Sequence, residues 1–182
     1  MFVYNMEMKT IHFSLTLVVV LLCIACTPKN EWATYSVDDD PAFPPYSFEY
    51  PSSWTMDAGN NYIGFVSKKN LLKDIPKKLK PGQIIVGLSM NINMSPEKML
   101  LTRTNGLDDI IQFSAPVAST LDGRPTVYQE GVNYETNDES LFIAADVGQN
   151  MRVLLSSRMA EGELALWRET LMKMVQSLRI KP

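Results

Sequence analysis

Few side chains in this 182-residue chain carry chemistry beyond plain charge. It holds one imidazole, His12, and two thiols, Cys23 and Cys26. A thiol can be acylated, oxidised to a disulfide, or used as a nucleophile beside a base; the last two uses need a partner in the folded domain. Carboxylates sit close together at Asp38-Asp39-Asp40, at Asp108-Asp109 and at Glu161 with Glu163. Paired acids are what general acid–base hydrolysis requires. Six lysines, Lys68, Lys69, Lys73, Lys77, Lys78 and Lys80, fall within 13 residues and are opposed only by Asp74. The nine glycines form no phosphate-cradling loop, so nucleotide binding has no support. A net charge of −3 argues against nucleic acid as a partner.

The thiols are explained by their position. Lys9 gives a basic start, and residues 13–25 form an apolar run of 13 residues, the length of a signal-peptide core and short for a membrane span. Met6 or Met8 would also open a plausible leader. The run ends in Cys23-Ile24-Ala25-Cys26, which resembles the bacterial lipobox, with Cys23 where Leu is usual. The resemblance implies cleavage before Cys26 and lipidation of its thiol by diacylglycerol, with palmitate-type acyl chains. It also implies anchoring at the cell membrane or outer membrane, facing the extracytoplasmic side. His12 and Cys23 would leave with the leader and Cys26 would be capped. A disulfide, a Ser-His-Asp triad, a Cys-His pair and a His- or Cys-ligated zinc site would then be closed to the mature domain.

The lysine run carries +5, so the remainder of the chain sums to −8. Anionic headgroups attract nearby lysines by ~1 kcal/mol each, and one lipid plus a polybasic patch is a workable anchor. The six lysines are therefore candidate contacts for an anionic surface, against the plainer reading of a solvated loop. Leu71, Leu72, Ile75 and Leu79 are interleaved with them and suit a short amphipathic turn. The acidic triplet lacks the spaced acids, Gly and distal Glu of a calcium loop and reads as a solvated linker. Adjacent acids on a loop are ordinary, and Glu161 and Glu163 suit the start of a helix through its dipole. The expectation is no catalytic residue, no metal and no cofactor, with a carboxylate hydrolase as the residual alternative.

Around these residues the elements can be read from periodicity. Residues 27–45, with mixed polar composition and several prolines, are expected to be a tether with little regular structure. Tyr46, Phe48 and Tyr50 alternate with polar residues as a half-buried strand closed by Pro51, and Trp54 is expected to plug the core. Residues 62–67 suggest a second strand. Residues 84–94 alternate clearly, with Val86, Leu88, Met90, Ile92 and Met94 on one face and Gly87, Ser89, Asn91 and Asn93 on the other. Ser95-Pro96-Glu97 is a helix start, and Asn105-Gly106 its stop. Strands follow over 111–121, 126–135, 140–147 and 151–157, joined by short turns, including Asp122-Gly123. Over 162–178, Leu164, Trp167, Leu171, Met174, Val175 and Leu178 form one helical stripe, with Trp167 expected to be buried.

Three short segments carry a resemblance: Phe48-Glu49-Tyr50-Pro51-Ser52-Ser53-Trp54, the Gly123-Arg124-Pro125 turn, and the ending Ser177-Leu178-Arg179-Ile180. Together they resemble the PsbP-like family over residues 46–182. That family includes extrinsic subunits of photosystem II, a Ran-binding import factor and many bacterial lipoproteins. The resemblance implies an α+β fold, a largely antiparallel sheet of about six to seven strands sandwiched between helices. It also implies a domain that binds a larger partner rather than a catalyst. Metal-associated histidines of some PsbP proteins have no counterpart here. The organisation expected is a leader over 1–25, a lipidated tether over 26–45 and one domain over 46–182. Its expected function is that of a non-catalytic protein-binding or assembly module of the cell envelope. The alternative is a carrier or sensor of a small or lipidic ligand held between sheet and helix.

Overall fold

In a computed structural model, residues 31–59 and 62–181 are described. The leader, Cys26 and its neighbours lie outside the described residues. Among the described residues no helix is long and apolar enough to cross a membrane.

Two antiparallel sheets form the frame. β1 (Trp32–Val37), β2 (Tyr46–Pro51) and β11 (Arg179–Ile180) make the small one, in the order β1-β2-β11. The large sheet has eight strands: β3 (Thr55–Ala58), β4 (Ile63–Val66), β5 (Ile84–Asn91), β6 (Ile111–Phe113), β7 (Val117–Leu121), β8 (Arg124–Asn133), β9 (Glu139–Gly148) and β10 (Met151–Met159). Its order is β3-β4-β5-β10-β9-β8-β6, and β7 also pairs with β8. The helices are α1 (Pro96–Thr104) and α2 (Leu164–Gln176).

Strand parity assigns the layers. On β9, Leu141, Ile143, Ala145 and Val147 join the core that contains Leu171, Met174 and Val175 of α2, with Leu178 just beyond its end. Their neighbours Phe142 and Ala144 join Met99 and Leu100 of α1. Successive strand residues point to opposite faces, so α1 and α2 lie on opposite sides of one sheet. That is why β9 reads as an almost unbroken apolar run. The small sheet lies on the α2 side, where Phe48 meets Phe65 edge-on at 5.8 Å. Ser95 caps α1 through its Oγ, which accepts from the Lys98 N–H at 3.3 Å. Asp122 (φ 52°) and Gly123 (φ 74°) both adopt the left-handed region that the two-residue turn from β7 to β8 requires.

Several boundaries differ from expectation. The expected tether contains β1, whose six residues pair with all of β2. The backbone hydrogen bonds come from a partner that local composition does not reveal. The expected strand over 111–121 is two strands, broken around Pro116, a residue without an N–H for a ladder. β5 stops at Asn91, leaving Ile92 45% exposed. β3 was not expected, because Thr55–Ala58 is only four residues long and buries none of them fully. Trp54 is buried as expected. Trp167 is only half-buried, packing edge-on to Trp54 at 5.8 Å between centroids, with its indole N–H donating to Glu163 at 3.1 Å.

Candidate functional site: a basic segment beside an open trough

The lysine segment is fixed to the body rather than loose. Lys69–Leu72 forms a 3₁₀ turn. Leu71 and Leu79 are buried against Val66, Ile85 and Ala160. Leu72 and Ile75 remain exposed at 40% and 58%, so the amphipathic turn places only part of its apolar set on the sheet.

A buried carboxylate holds the far half. Asp138 is wholly buried and accepts from the Leu79 N–H at 3.2 Å and from Arg158 Nε at 2.7 Å. The Arg158 guanidinium also donates to the carbonyls of Pro76 and Lys77. Burying a charge is costly unless it is paired and hydrogen-bonded, and here one pair does both while tethering the chain.

The carboxylates noted in the sequence take up related duties. Glu161 accepts from Lys78 Nζ at 2.9 Å, and Glu163 accepts from the Gly82 N–H at 2.7 Å. Lys77 pairs with Glu135 at 2.9 Å. Hydrogen bonds from Lys77 and Lys78 hold Glu135 and Glu161 below the usual carboxylate range. Glu161 and Glu163 thus fasten the basic segment. Asp108 and Asp109 are exposed on the turn after α1. All six lysines are exposed; Lys77 and Lys78 are ion-paired, while Lys68, Lys69, Lys73 and Lys80 have no salt bridge among the described residues.

Beside this segment the sheet is hollowed. α1 packs over β8, β9 and β10, and the basic segment covers Val66 and Ile85. Between them Gly64 pairs with Gly87, Gly87 with Ser156, and Ser156 with Phe142. Three small residues in one row across three strands leave a trough of about 360 Å³. Tyr62, Leu107, Ile111 and Phe142 wall it, and its charged residues are Arg103 and Arg158. Gly87 and the small polar face of β5 were legible in sequence. Gly64 and Ser156 join them only through strand register, which periodicity does not supply.

No protein-family model matches the chain, and no curated protein matches its sequence. Solved structures do match in shape. Cyanobacterial PsbP (CyanoP) from Synechocystis sp. PCC 6803 superposes with a TM-score of 0.53 at 12% identity, covering 86% of this chain and 96% of that one. The fold is PsbP-like. LpqN of Mycobacterium tuberculosis, described as involved in cell envelope biogenesis, gives 0.51 at 18% identity, covering 84% and 93%. The PsbP-like frame agrees with the antiparallel sheet between helices expected from sequence, with more strands than expected.

Proposed function

We propose that this protein is a cell-envelope lipoprotein, held to the extracytoplasmic face of a membrane by lipid on Cys26. Its PsbP-like domain serves as a non-catalytic protein-binding or assembly module. The observation that carries the reading is the trough floored by Gly64, Gly87 and Ser156 and bracketed by α1 and the basic segment. Open apolar surface rimmed by polar groups marks interaction sites. The envelope role of the similarly folded LpqN supports the setting, as does the lipobox-like run ending at Cys26. The exposed Asp108-Asp109 pair and the engagement of Glu161 and Glu163 in fastening support a non-catalytic role.

A second reading has an observation of its own. The trough lies between sheet and helix, is mainly apolar, and is lined by Arg158, which is paired with Asp138, and by Arg103, which has no salt bridge among the described residues. That suits a carrier of an anionic amphiphile.

Fatty-acid labelling in cells tests the anchor: the wild type should label and Cys26→Ala should not. Photo-crosslinking tests the module. A crosslinker replacing Tyr62, in the native lipoprotein in membranes, should capture one discrete protein, and Ser156→Leu should abolish capture without unfolding the domain. Equal capture from Leu166, exposed on α2, would refute a specific face. Recovery of crosslinked lipid in place of protein would favour the carrier.

A further inference from the structure

The acidic triplet is not a uniform solvated run. Asp38 pairs with Lys181 at 2.5 Å. Asp39 and Asp40 instead line a cleft of about 510 Å³ between the loop over 38–45, β1 and the strands β4 and β5. Asp40 is half-buried and held in place by its own loop, its carboxylate accepting from the Ala42 N–H at 2.8 Å.

The remaining wall combines aromatic side chains with aliphatic and small residues of β1, β4, β5 and the loop. Tyr35, Phe43, Tyr46 and Tyr62 contribute to it, and no basic residue lines it. Tyr35 is fixed by β1 and packs on Phe48 at 5.5 Å between centroids. Tyr46 is 4% exposed and lines the cleft at the start of β2. Lys181, whose backbone N–H donates to the Pro45 carbonyl at the end of the loop, has its ammonium engaged with Asp38. The volume lies within the usual range of small-molecule sites, roughly 300–1,000 Å³.

We propose that this cleft binds a small organic cation, an ammonium group on an apolar body. Aromatic faces attract cations through their quadrupoles, and the attraction grows with desolvation. Two carboxylates with no opposing base repel anions and reward a positive charge. A bare metal ion is poorly served, because no group of three or more side chains suited to hold one occurs among the described residues. An ammonium needs no such set: it takes one or two carboxylates, a phenol oxygen and ring faces. Burial, with the Tyr35 phenol and the Asp40 carboxylate beside it, pushes Tyr46 up to about 12, so the wall stays neutral or negative across physiological pH.

The test is calorimetric titration of the full-length protein in an uncharged maltoside detergent. The probes are choline, butylammonium and 3,3-dimethylbutan-1-ol, the neutral isostere of choline. At least one of the two ammonium probes should bind saturably, and choline should bind at least about tenfold more tightly than the isostere if it is the one bound. Asp39→Asn with Asp40→Asn removes the charge but keeps the loop's acceptor, and should weaken binding by roughly tenfold. Phe43→Leu should weaken it several-fold. Doping the micelles with phosphatidylcholine distinguishes the source: competition indicates a lipid headgroup, and its absence a free amine. Failure of both ammonium probes to saturate would overturn the proposal. So would equal affinity for the isostere and choline, or undiminished binding by the folded double Asn variant.

Discussion

The Glu49 backbone N–H donates to Ser177 Oγ at 2.8 Å, across 128 residues of sequence. Close by, Arg124 donates to the carbonyls of Gln176 and Leu178 at 3.1 and 3.3 Å. Arg179 and Ile180 then pair with Ser47 and Tyr46. The three segments that carried the family resemblance therefore meet at one place, the C-terminal end of α2. Arg124 supplies a cation for the helix-end carbonyls, Glu49 an N–H that Ser177 Oγ accepts, and Arg179–Ile180 a strand that continues from the helix beside β2. Arg124→Ala should cost about 1–2 kcal/mol, the range for hydrogen bonds from a charged donor at a partly exposed site. Ser177→Ala should cost about 1 kcal/mol by leaving the Glu49 N–H without its partner. Denaturant titration measures both; a loss below about 0.3 kcal/mol for Arg124→Ala would remove it from the helix end's support.

Trp167 bears on how tightly α2 closes the core. A fully buried Trp would lose about 3–5 kcal/mol on truncation to Ala. Half-burial, with one edge-on contact to Trp54, lowers the expectation for Trp167→Ala to about 2 kcal/mol. Leu171→Ala, at a fully buried position on the same helix, should cost more, about 3 kcal/mol or above. The reverse order would mean that the ring, and not the aliphatic stripe, holds the helix.

β1 makes a prediction about where the folding unit begins. A chain starting at Glu31 retains the whole β1–β2 ladder and should unfold in a single transition. One starting at Phe43 loses that ladder and the cover that Tyr35 gives Phe48. It should melt at a clearly lower temperature, and equal melting temperatures would show that β1 is dispensable.

How far the sequence could be read follows from how local each signal is. Ser95-Pro96-Glu97 and Asp122-Gly123 act within a few residues, and both appear as expected. The α2 stripe is also local, and Leu171, Met174, Val175 and Leu178 are all buried. β1 was missed because what orders it is β2, beyond a loop rich in proline and acid. Asp138 was missed for the same reason: nothing beside it in sequence announces that Arg158 and the Leu79 N–H converge on it. The trough required the register of three strands. Each β5 residue alternates legibly, but which residues of β4 and β10 lie opposite it is a property of the assembled sheet.

Asp138 should govern the order of the basic segment. Asp138→Ala leaves Arg158 and the Leu79 N–H without their acceptor, and removing one member of a buried pair costs about 3 kcal/mol or more. Trypsin should then cut at residues 68–80 faster than in the wild type. The fastening by Glu135 and Glu161 adds a pH dependence. Their pKa values are lowered from 4.5 by the lysines they bind, so their contribution is present above the unfolded value and fades as pH falls through the lower folded value. Amide exchange across 69–80 should be slow at neutral pH and quicken as pH falls below the ordinary carboxylate range, after correction for intrinsic rates. Protection that is unchanged at low pH would assign the fastening to Asp138 and Leu79 alone.

The lysines themselves make the last prediction, binding to an anionic membrane. Lys77 and Lys78 are partly neutralised by Glu135 and Glu161, so the charge available to a surface is carried chiefly by Lys68, Lys69, Lys73 and Lys80. All four are exposed on a segment held rigid by Leu71, Leu79 and Asp138, so little ordering entropy opposes their joint contact. At ~1 kcal/mol per lysine near an anionic leaflet, four give about 4 kcal/mol, which corresponds to weak, millimolar binding on its own. Lipid on Cys26 would make that contact intramolecular and raise its occupancy. The attraction falls off within a Debye length, about 10 Å at 0.1 M salt. Vesicles with and without phosphatidylglycerol separate this from hydrophobic insertion. The soluble chain from Glu31 should sediment with anionic vesicles at low salt and be released as salt rises. Changing Lys68, Lys69, Lys73 and Lys80 to Gln should abolish sedimentation, whereas changing Lys77 and Lys78 should weaken it far less. Salt-insensitive binding would instead implicate the exposed Leu72 and Ile75. No binding to anionic vesicles at low salt would rule out the membrane as the partner of this segment and leave it as a fastened, solvated face of the domain.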